Sequence, residues 1–358
     1  MTYQLIIERM EQTVEVEQDQ TILDACLRRG VWLPHACCHG LCGTCKVKVV
    51  QGEFEQGNAS PFALMDFERE EGQALACCAT LLDDAVIEAD VDEDPDALYL
   101  PLEDHQAEVV RIEDLTPTVK GIWLRPDRPV SFQAGQYLNL HLPDVEGPRA
   151  FSLANAPGEE LIELHVRKVL GGAATGWLHD ALRTGDRLHL TAPMGRFFVR
   201  KSAALPVILV AGGSGLSSPK SMLADLLAED FPHDIWLFQG ARDRGELYFA
   251  EHFEQLAAEH PRLHYVPVLS NLADDDPWTG ARGFVHEELK RRFSQDGGAS
   301  ADFRGHQAYL CGPPPMIATC IATLMQGRLF ERDIYTEKFI PAADAAASSR
   351  RSPLFRAL

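Results

Sequence analysis

Four cysteines constrain this chain more than any other feature: Cys37, Cys42, Cys45 and, well downstream, Cys77. The spacing C-x4-C-x2-C followed by a distant fourth Cys is that of a plant-type [2Fe–2S] cluster. The first three thiolates then sit on one tight loop, and the fourth closes the cage from a separate segment. Gly40, Gly43 and Thr44 are small enough to let backbone N–H groups approach the sulfurs. Buried core thiols are the ordinary alternative. Structural zinc is another, but it usually shows two C-x2-C pairs or a Cys/His mixture, and only Cys42 and Cys45 have that separation. Cys38 would give x3 to Cys42, so spacing favours Cys37; between Cys77 and Cys78 it does not choose. Such a cluster carries one electron at a time, so the chain reads as a redox protein.

A length of 358 residues suits two or three domains. No stretch approaches the roughly 20 apolar residues of a membrane helix, and the start lacks a basic segment followed by an apolar one. Nine cysteines, an odd number with vicinal pairs, argue against a secreted disulfide framework; a cytoplasmic protein with no membrane association is expected. The net charge of −20 is uneven, with 20 Asp/Glu against 6 Lys/Arg in residues 1–97. That excess reads either as a solvated surface or as a face that steers a positively charged redox partner. No basic stripe appears, which disfavours nucleic acid.

Residues 3–16 alternate as two strands meeting near Met10–Gln12, Thr21 caps a helix over Ile22–Arg29, and Gly30 stops it. A strand at Lys46–Val50, a helix over Pro61–Glu70 and a strand at Ala85–Ala89 follow. This small mixed sheet suits a β-grasp ferredoxin domain over 1–97, and the acidic run from Asp90 reads as a linker. Short alternating segments then recur (Ala107–Ile112, Thr118–Leu124, Tyr137–Leu142, Ile162–Arg167, Arg187–Thr191), predicting an antiparallel β-barrel over 98–203. From Pro206 apolar strands alternate with helices, as in a Rossmann-like parallel-sheet α/β domain over 204–340. Residues 341–358 read as a loose tail.

Three segments carry further chemistry. Arg149-Ala-Phe-Ser places a guanidinium, an aromatic and a hydroxyl at the end of a barrel strand, suited to a phosphate and a planar ring. Gly171-Gly-Ala-Ala-Thr175 opens a helix whose free N–H groups could take a pyrophosphate. Gly212-Gly-Ser-Gly follows the first strand of the α/β region, though Ser218 stands at the third glycine position of the dinucleotide fingerprint. Gly240-Ala-Arg242 and Cys311-Gly-Pro-Pro-Pro-Met316 also lie at carboxyl ends of strands, where such sheets bind ligands.

In this order the segments resemble the iron–sulfur flavoprotein reductases of the ferredoxin–NADP reductase superfamily, with the reductase components of multicomponent phenol hydroxylases and toluene monooxygenases the nearest likeness. The resemblance covers the chain to about Phe339. It implies a [2Fe–2S] cluster held by Cys37, Cys42, Cys45 and, from the Leu75-Ala-Cys77 context, Cys77. It implies FAD at Arg149, Phe151, Ser152, Leu153, His165, Arg167, Gly171, Gly172 and Thr175. It implies pyridine nucleotide at Gly212, Gly213, Ser214, Gly240, Arg242, Cys311, Gly312 and Pro313. Glu337-Lys-Phe339 resembles the C-terminal piece whose aromatic covers the flavin, so Cys311, Glu337 and Phe339 are the expected catalytic group. Two departures stand out: one extra residue precedes Pro219, which predicts an altered helix entry, and Phe151 replaces the Tyr of many relatives.

The expected activity is NADH-dependent electron transfer through FAD and the cluster to an oxygenase hydroxylase. NADH is favoured because Arg242 and Arg244 are interleaved with Asp243 and Glu246, offsetting the positive charge a 2′-phosphate would need. The alternatives are the reductase of a ring-hydroxylating dioxygenase or a deoxysugar pathway, or a redox sensor.

Overall fold

The computed structural model describes residues 1–10, 12–35, 38, 40–89, 94–294 and 301–339. They form two compact units, one of Met1–Asp104 with Pro193–Arg196 and one holding His105–Ala192 and the described residues from Phe197 onward. Cys37, the start of the acidic linker and the tail lie outside the described residues.

In the first unit, β1 (Thr2–Ile7) and β2 (Gln12–Glu17) pair antiparallel, their alternate residues Leu5, Ile7, Val14 and Val16 pointing into the core. α1 (Ile22–Arg28) begins where the Thr21 hydroxyl accepts from the Asp24 N–H, and ends before Gly30 at φ 72°. β3 (Lys46–Gln51), β4 (Phe54–Glu55), α2 (Asp66–Glu70), β5 (Gln73–Leu75), β6 (Thr80–Leu81) and β7 (Ala85–Glu88) follow. The main sheet runs β2-β1-β7-β3-β5, with β1 and β7 parallel, the mixed β-grasp arrangement. The helix expected over Pro61–Glu70 is only its last five residues. The segment before it is a turn, held to the cysteine loop by the Ser60 N–H on the Gly40 carbonyl at 3.0 Å, and α2 starts where Glu68 caps the Met65 N–H.

The second unit contains a barrel and an open sheet. The barrel strands are β8 (Glu103–Asp114), β9 (Val119–Pro126), β10 (Tyr137–His141), β11 (Arg149–Ser152), β12 (Ile162–Arg167) and β13 (Arg187–Met194), with α3 (Ala173–Asp180) between the last two. Their order is β11-β10-β13-β8-β9-β12, and a bridge between Leu153 and Leu164 joins the two edges. Inward residues such as Val109, Leu124, Leu138, Leu164 and Leu190 fill it.

The open sheet comprises β14 (Val207–Gly212), β15 (Ile235–Ala241), β16 (Leu263–Leu269), β17 (Ala281–Arg282), β18 (Gln307–Gly312) and β19 (Ile334–Lys338). The helices are α4 (Ser217–Ala228), α5 (Ala250–Glu259), α6 (Val285–Arg292) and α7 (Pro314–Gln326). The order β17-β16-β15-β14-β18-β19 is parallel throughout. β14 and β18 are buried along their whole length, as strands covered on both faces must be. The direction of winding reverses between them, so the crevice at their carboxyl ends is where such a sheet takes a ligand. The sequence pattern missed β19, which lies at the sheet edge with no residue fully buried. Among the described residues no helix is long and apolar enough to cross a membrane.

Candidate active site and cofactor positions

At the switch point the Gly212–Gly215 loop meets the end of β18. A Cβ on Gly215 would lie 2.4 Å from the Cys311 carbonyl oxygen, so only glycine lets the two backbones touch. A 3-10 turn over Gly213–Leu216 runs directly into α4. Pro219 then sits in the helix's first turn, where its missing N–H costs nothing.

Four side chains from four elements converge there. The Glu337 carboxylate on β19 accepts from Ser152 Oγ of β11 at 3.0 Å and from Ser218 Oγ of α4 at 2.8 Å. The Cys311 thiol of β18 donates to the same oxygen, Oε2, at 3.5 Å. Parallel pairing sets Cys311 opposite Glu337, and the Phe339 N–H binds the Gly312 carbonyl at 3.1 Å. Burial raises the Glu337 carboxyl above its ordinary value, against the pull of Ser218, Ser152 and Cys311. Burial, then the neighbouring Glu337, pushes the Cys311 thiol far up, so it is a proton donor and not a nucleophile. Ser152, Cys311 and Glu337 were expected; Ser218, marked in the sequence only as a missing glycine, is the hydroxyl that pattern reading overlooked.

The remaining candidates fall into place unevenly. Leu153 is buried in the barrel wall and Phe151 packs against the barrel core. Arg149 is folded back onto the carbonyls of Glu146, Gly147 and Pro148 at 2.9–3.2 Å. Gly171, at φ 71°, precedes Gly172, which begins α3 without a side-chain cap, leaving the first-turn N–H groups to an anion; Thr175 is held by the Val169 N–H. Gly212 likewise lacks a side-chain cap, Ser214 is buried, and Pro313 opens α7. His165 is fully buried with both ring nitrogens engaged within the chain, by Glu163 at 2.8 Å and Tyr248 at 3.2 Å. Gly240 ends up beside Gly212 in the β14–β15 register. Arg242 is paired with Glu246 at 2.9 Å, and Arg244 faces Asp276 at 3.5 Å.

In the first unit Cys45 Sγ lies 3.2 Å from Cys77 Sγ, and the Ala76 N–H binds the Cys45 carbonyl at 2.9 Å, tying the two cysteine segments. Cys78 Sγ is 3.6 Å from Cys77 Sγ, and Cys42 is exposed. Among the described residues no three His, Cys, Asp or Glu side chains gather as a single metal ion requires. A two-iron cluster instead asks for two cysteine pairs, and Cys45 with Cys77 forms one such pair. The hydrogen bond to Cys77, with burial, holds the Cys45 thiol protonated well above its usual range. Iron is the kind of partner that would convert this pair to thiolates. The Cys45–Cys77 pair therefore fits one iron of such a cluster.

Comparison with known proteins matches these pieces one by one. Residues 5–82 match the 2Fe-2S iron-sulfur cluster binding domain, 107–199 the oxidoreductase FAD-binding domain and 209–321 the oxidoreductase NAD-binding domain. The chain belongs to the iron–sulfur flavoprotein reductases of the ferredoxin–NADP reductase superfamily, and is an oxidoreductase with [2Fe–2S], FAD and NAD sites. Within that class two relatives over half identical to it belong to phenol hydroxylases. The phenol hydroxylase P5 protein of Acinetobacter pittii (strain PHEA-2) is 57% identical, with 99% of each chain covered. The reductase component DmpP of phenol 2-monooxygenase from Pseudomonas sp. (strain CF600) shows the same identity and coverage. Among solved structures, the Amycolatopsis cytochrome P450 reductase GcoB superposes with a TM-score of 0.86 at 35% identity, covering 95% of this chain and 100% of that one. The ferredoxin reductase in carbazole 1,9a-dioxygenase gives 0.75 at 26%, covering 95% and 99%.

Proposed function

We propose that the chain is the reductase component of a phenol-type multicomponent monooxygenase, passing electrons from NADH to its hydroxylase. FAD supplies the change from two-electron to one-electron chemistry when bound, and the cluster is the one-electron outlet. The observation that carries the reading is the convergence of Ser152, Ser218, Cys311 and Glu337 where the barrel meets the switch point of the sheet. There the half-buried Glu337 accepts from the buried Ser152, Ser218 and Cys311 and holds them in one geometry, and Cys311 keeps its proton. Phe339, on the strand end bonded to Gly312, is the aromatic to cover the ring.

The ligands of the cluster are proposed as Cys37, Cys42, Cys45 and Cys77, supported by the Cys45–Cys77 approach. Domain limits at 1–97, 98–203, 204–340 and a tail over 341–358 go with this reading. NADH is preferred over NADPH because both arginines beyond β15 are already neutralised by carboxylates, so a 2′-phosphate would have to displace Glu246 or Asp276. The test is reconstitution with a phenol monooxygenase hydroxylase: phenol-dependent NADH oxidation should require the reductase and fall sharply with NADPH. Cytochrome c reduction without any hydroxylase coupling would point to a different acceptor.

A further inference from the structure

A second buried polar chain lies apart from Glu337. On β12, His165 Nε2 is 2.8 Å from Glu163 Oε1. His165 Nδ1 is 3.2 Å from the Tyr248 hydroxyl, which is itself 3.1 Å from the Gly213 carbonyl oxygen. The other Glu163 oxygen accepts from Lys220 Nζ of α4 at 2.8 Å. Burial pushes the Glu163 carboxyl up, but His165 and Lys220 outweigh it and hold it at about 2, so it is ionised and can only accept.

Counting protons makes the arrangement informative. Three links run from carboxylate to imidazole to phenol to carbonyl, and the two end groups donate nothing. A neutral imidazole offers one proton and the phenol one, in either tautomer: two protons for three links. An imidazolium offers the third, with Nε2–H to Glu163, Nδ1–H to Tyr248 and the Tyr248 O–H to Gly213. With neutral His165 the charge-assisted bond to Glu163 claims Nε2–H, and the Tyr248 proton is shared between Nδ1 and Gly213. Gly213 has φ 57° and no side chain to anchor it, so its carbonyl is the handle on the nucleotide loop.

We propose that Tyr248 is a positioning residue for the nucleotide loop, and that the charge on His165 decides whether the Tyr248 proton is committed to Gly213. This rests on the reading of that loop as the dinucleotide site. The groups facing His165 are Glu163 on its own strand, Lys220 from α4, and Tyr248, with the Phe249 ring at 5.6 Å; Glu163, Cys311 and Glu246 act on Tyr248. Burial first, and Lys220 more weakly, favour the neutral ring, while Glu163 favours the charged one. The loop is therefore held firmly below the His165 titration and loosely above it.

The test uses the full holoprotein labelled with 15N-histidine. Nitrogen NMR across pH 4.5–9 is run beside KM and kcat for NADH, with His165 assigned by its loss in His165→Gln. His165 should titrate in the parent or in Lys220→Met, where removal of the cation moves the midpoint upward. KM should fall about three- to tenfold through that midpoint as pH drops, the effect of one hydrogen bond, with kcat flat. Tyr248→Phe should keep the NMR titration and lose the KM step. The proposal fails if the step survives in Tyr248→Phe, if His165 titrates while KM stays flat, or if His165 titrates in neither protein. Failure of NADH to reduce the flavin at all would instead overturn the assignment of the loop.

Discussion

Replacing Lys220 by Met tests the same buried chain through stability. The Lys220 and Glu163 side chains are 17% and 8% exposed, so their ion pair is largely withdrawn from solvent. Met preserves the length and apolar stem of Lys220 and removes only the charge and its hydrogen bonds, one of them to the Ala154 carbonyl at 3.1 Å. The Glu163 carboxyl lies at about 2 instead of 4.5 in the folded protein, held down by His165 and Lys220 together. Losing Lys220 strands that carboxylate, and breaking a buried pair with one partner left in place costs ~3 kcal/mol at the low end of the usual range. For a unit of this size each kcal/mol moves Tm by about 2–4 °C, so Lys220→Met should lower it by about 6–12 °C, followed by flavin release. The sign with pH is fixed: a depressed carboxyl pKa stabilises above about 4.5 and loses that stabilisation as pH falls towards 2. The gap between parent and variant should therefore close in acid. Replacing both partners, Glu163→Met with Lys220→Met, should recover at least half of the loss, because no charge is left buried. A single variant within about 2 °C of the parent, or a double variant no better than the single, would refute the reasoning.

Cys45→Ser should abolish the cluster's low-temperature EPR signal while NADH-to-dye activity through FAD persists; an unchanged signal would remove Cys45 from the ligand set. A chain lacking residues 1–97 should remain yellow and oxidise NADH, and a colourless fragment would refute that boundary. Glu337→Gln should slow flavin reduction by NADH on the order of a hundredfold with little change in nucleotide affinity, measured by stopped flow; an equal loss of binding would make it a structural residue. Phe339→Ala should shift nicotinamide selectivity or flavin reactivity, read from kcat/KM for NADH and NADPH, and no change in either would detach it from the site.

Sequence alone determined what local rules govern. Thr21 three residues before Asp24 specifies a helix start, and alternation in Ile162–Arg167 specifies a barrel strand. Strand–glycine–helix order at Gly212 specifies where an anion goes, and the cysteine offsets specify a cluster. Each signal lies within a few residues, which is the range over which backbone sterics and capping act. Tertiary structure decided the rest. Pro61–Met65 became a turn closed by the Ala63 and Leu64 N–H groups on the Ser60 carbonyl, with Ser60 itself tied to the Gly40 carbonyl of the cysteine loop. Cys77, 32 residues on in the sequence, came within 3.2 Å of Cys45. Glu337 gathered a serine 185 residues away and another 119 residues away, and Lys220 found Glu163 across 57. No periodicity encodes such meetings, because they depend on how the barrel packs against the sheet. The four cysteines thus announced a redox chain from the first loop, whereas the buried groups that would manage its hydride and proton chemistry were assembled only by folding.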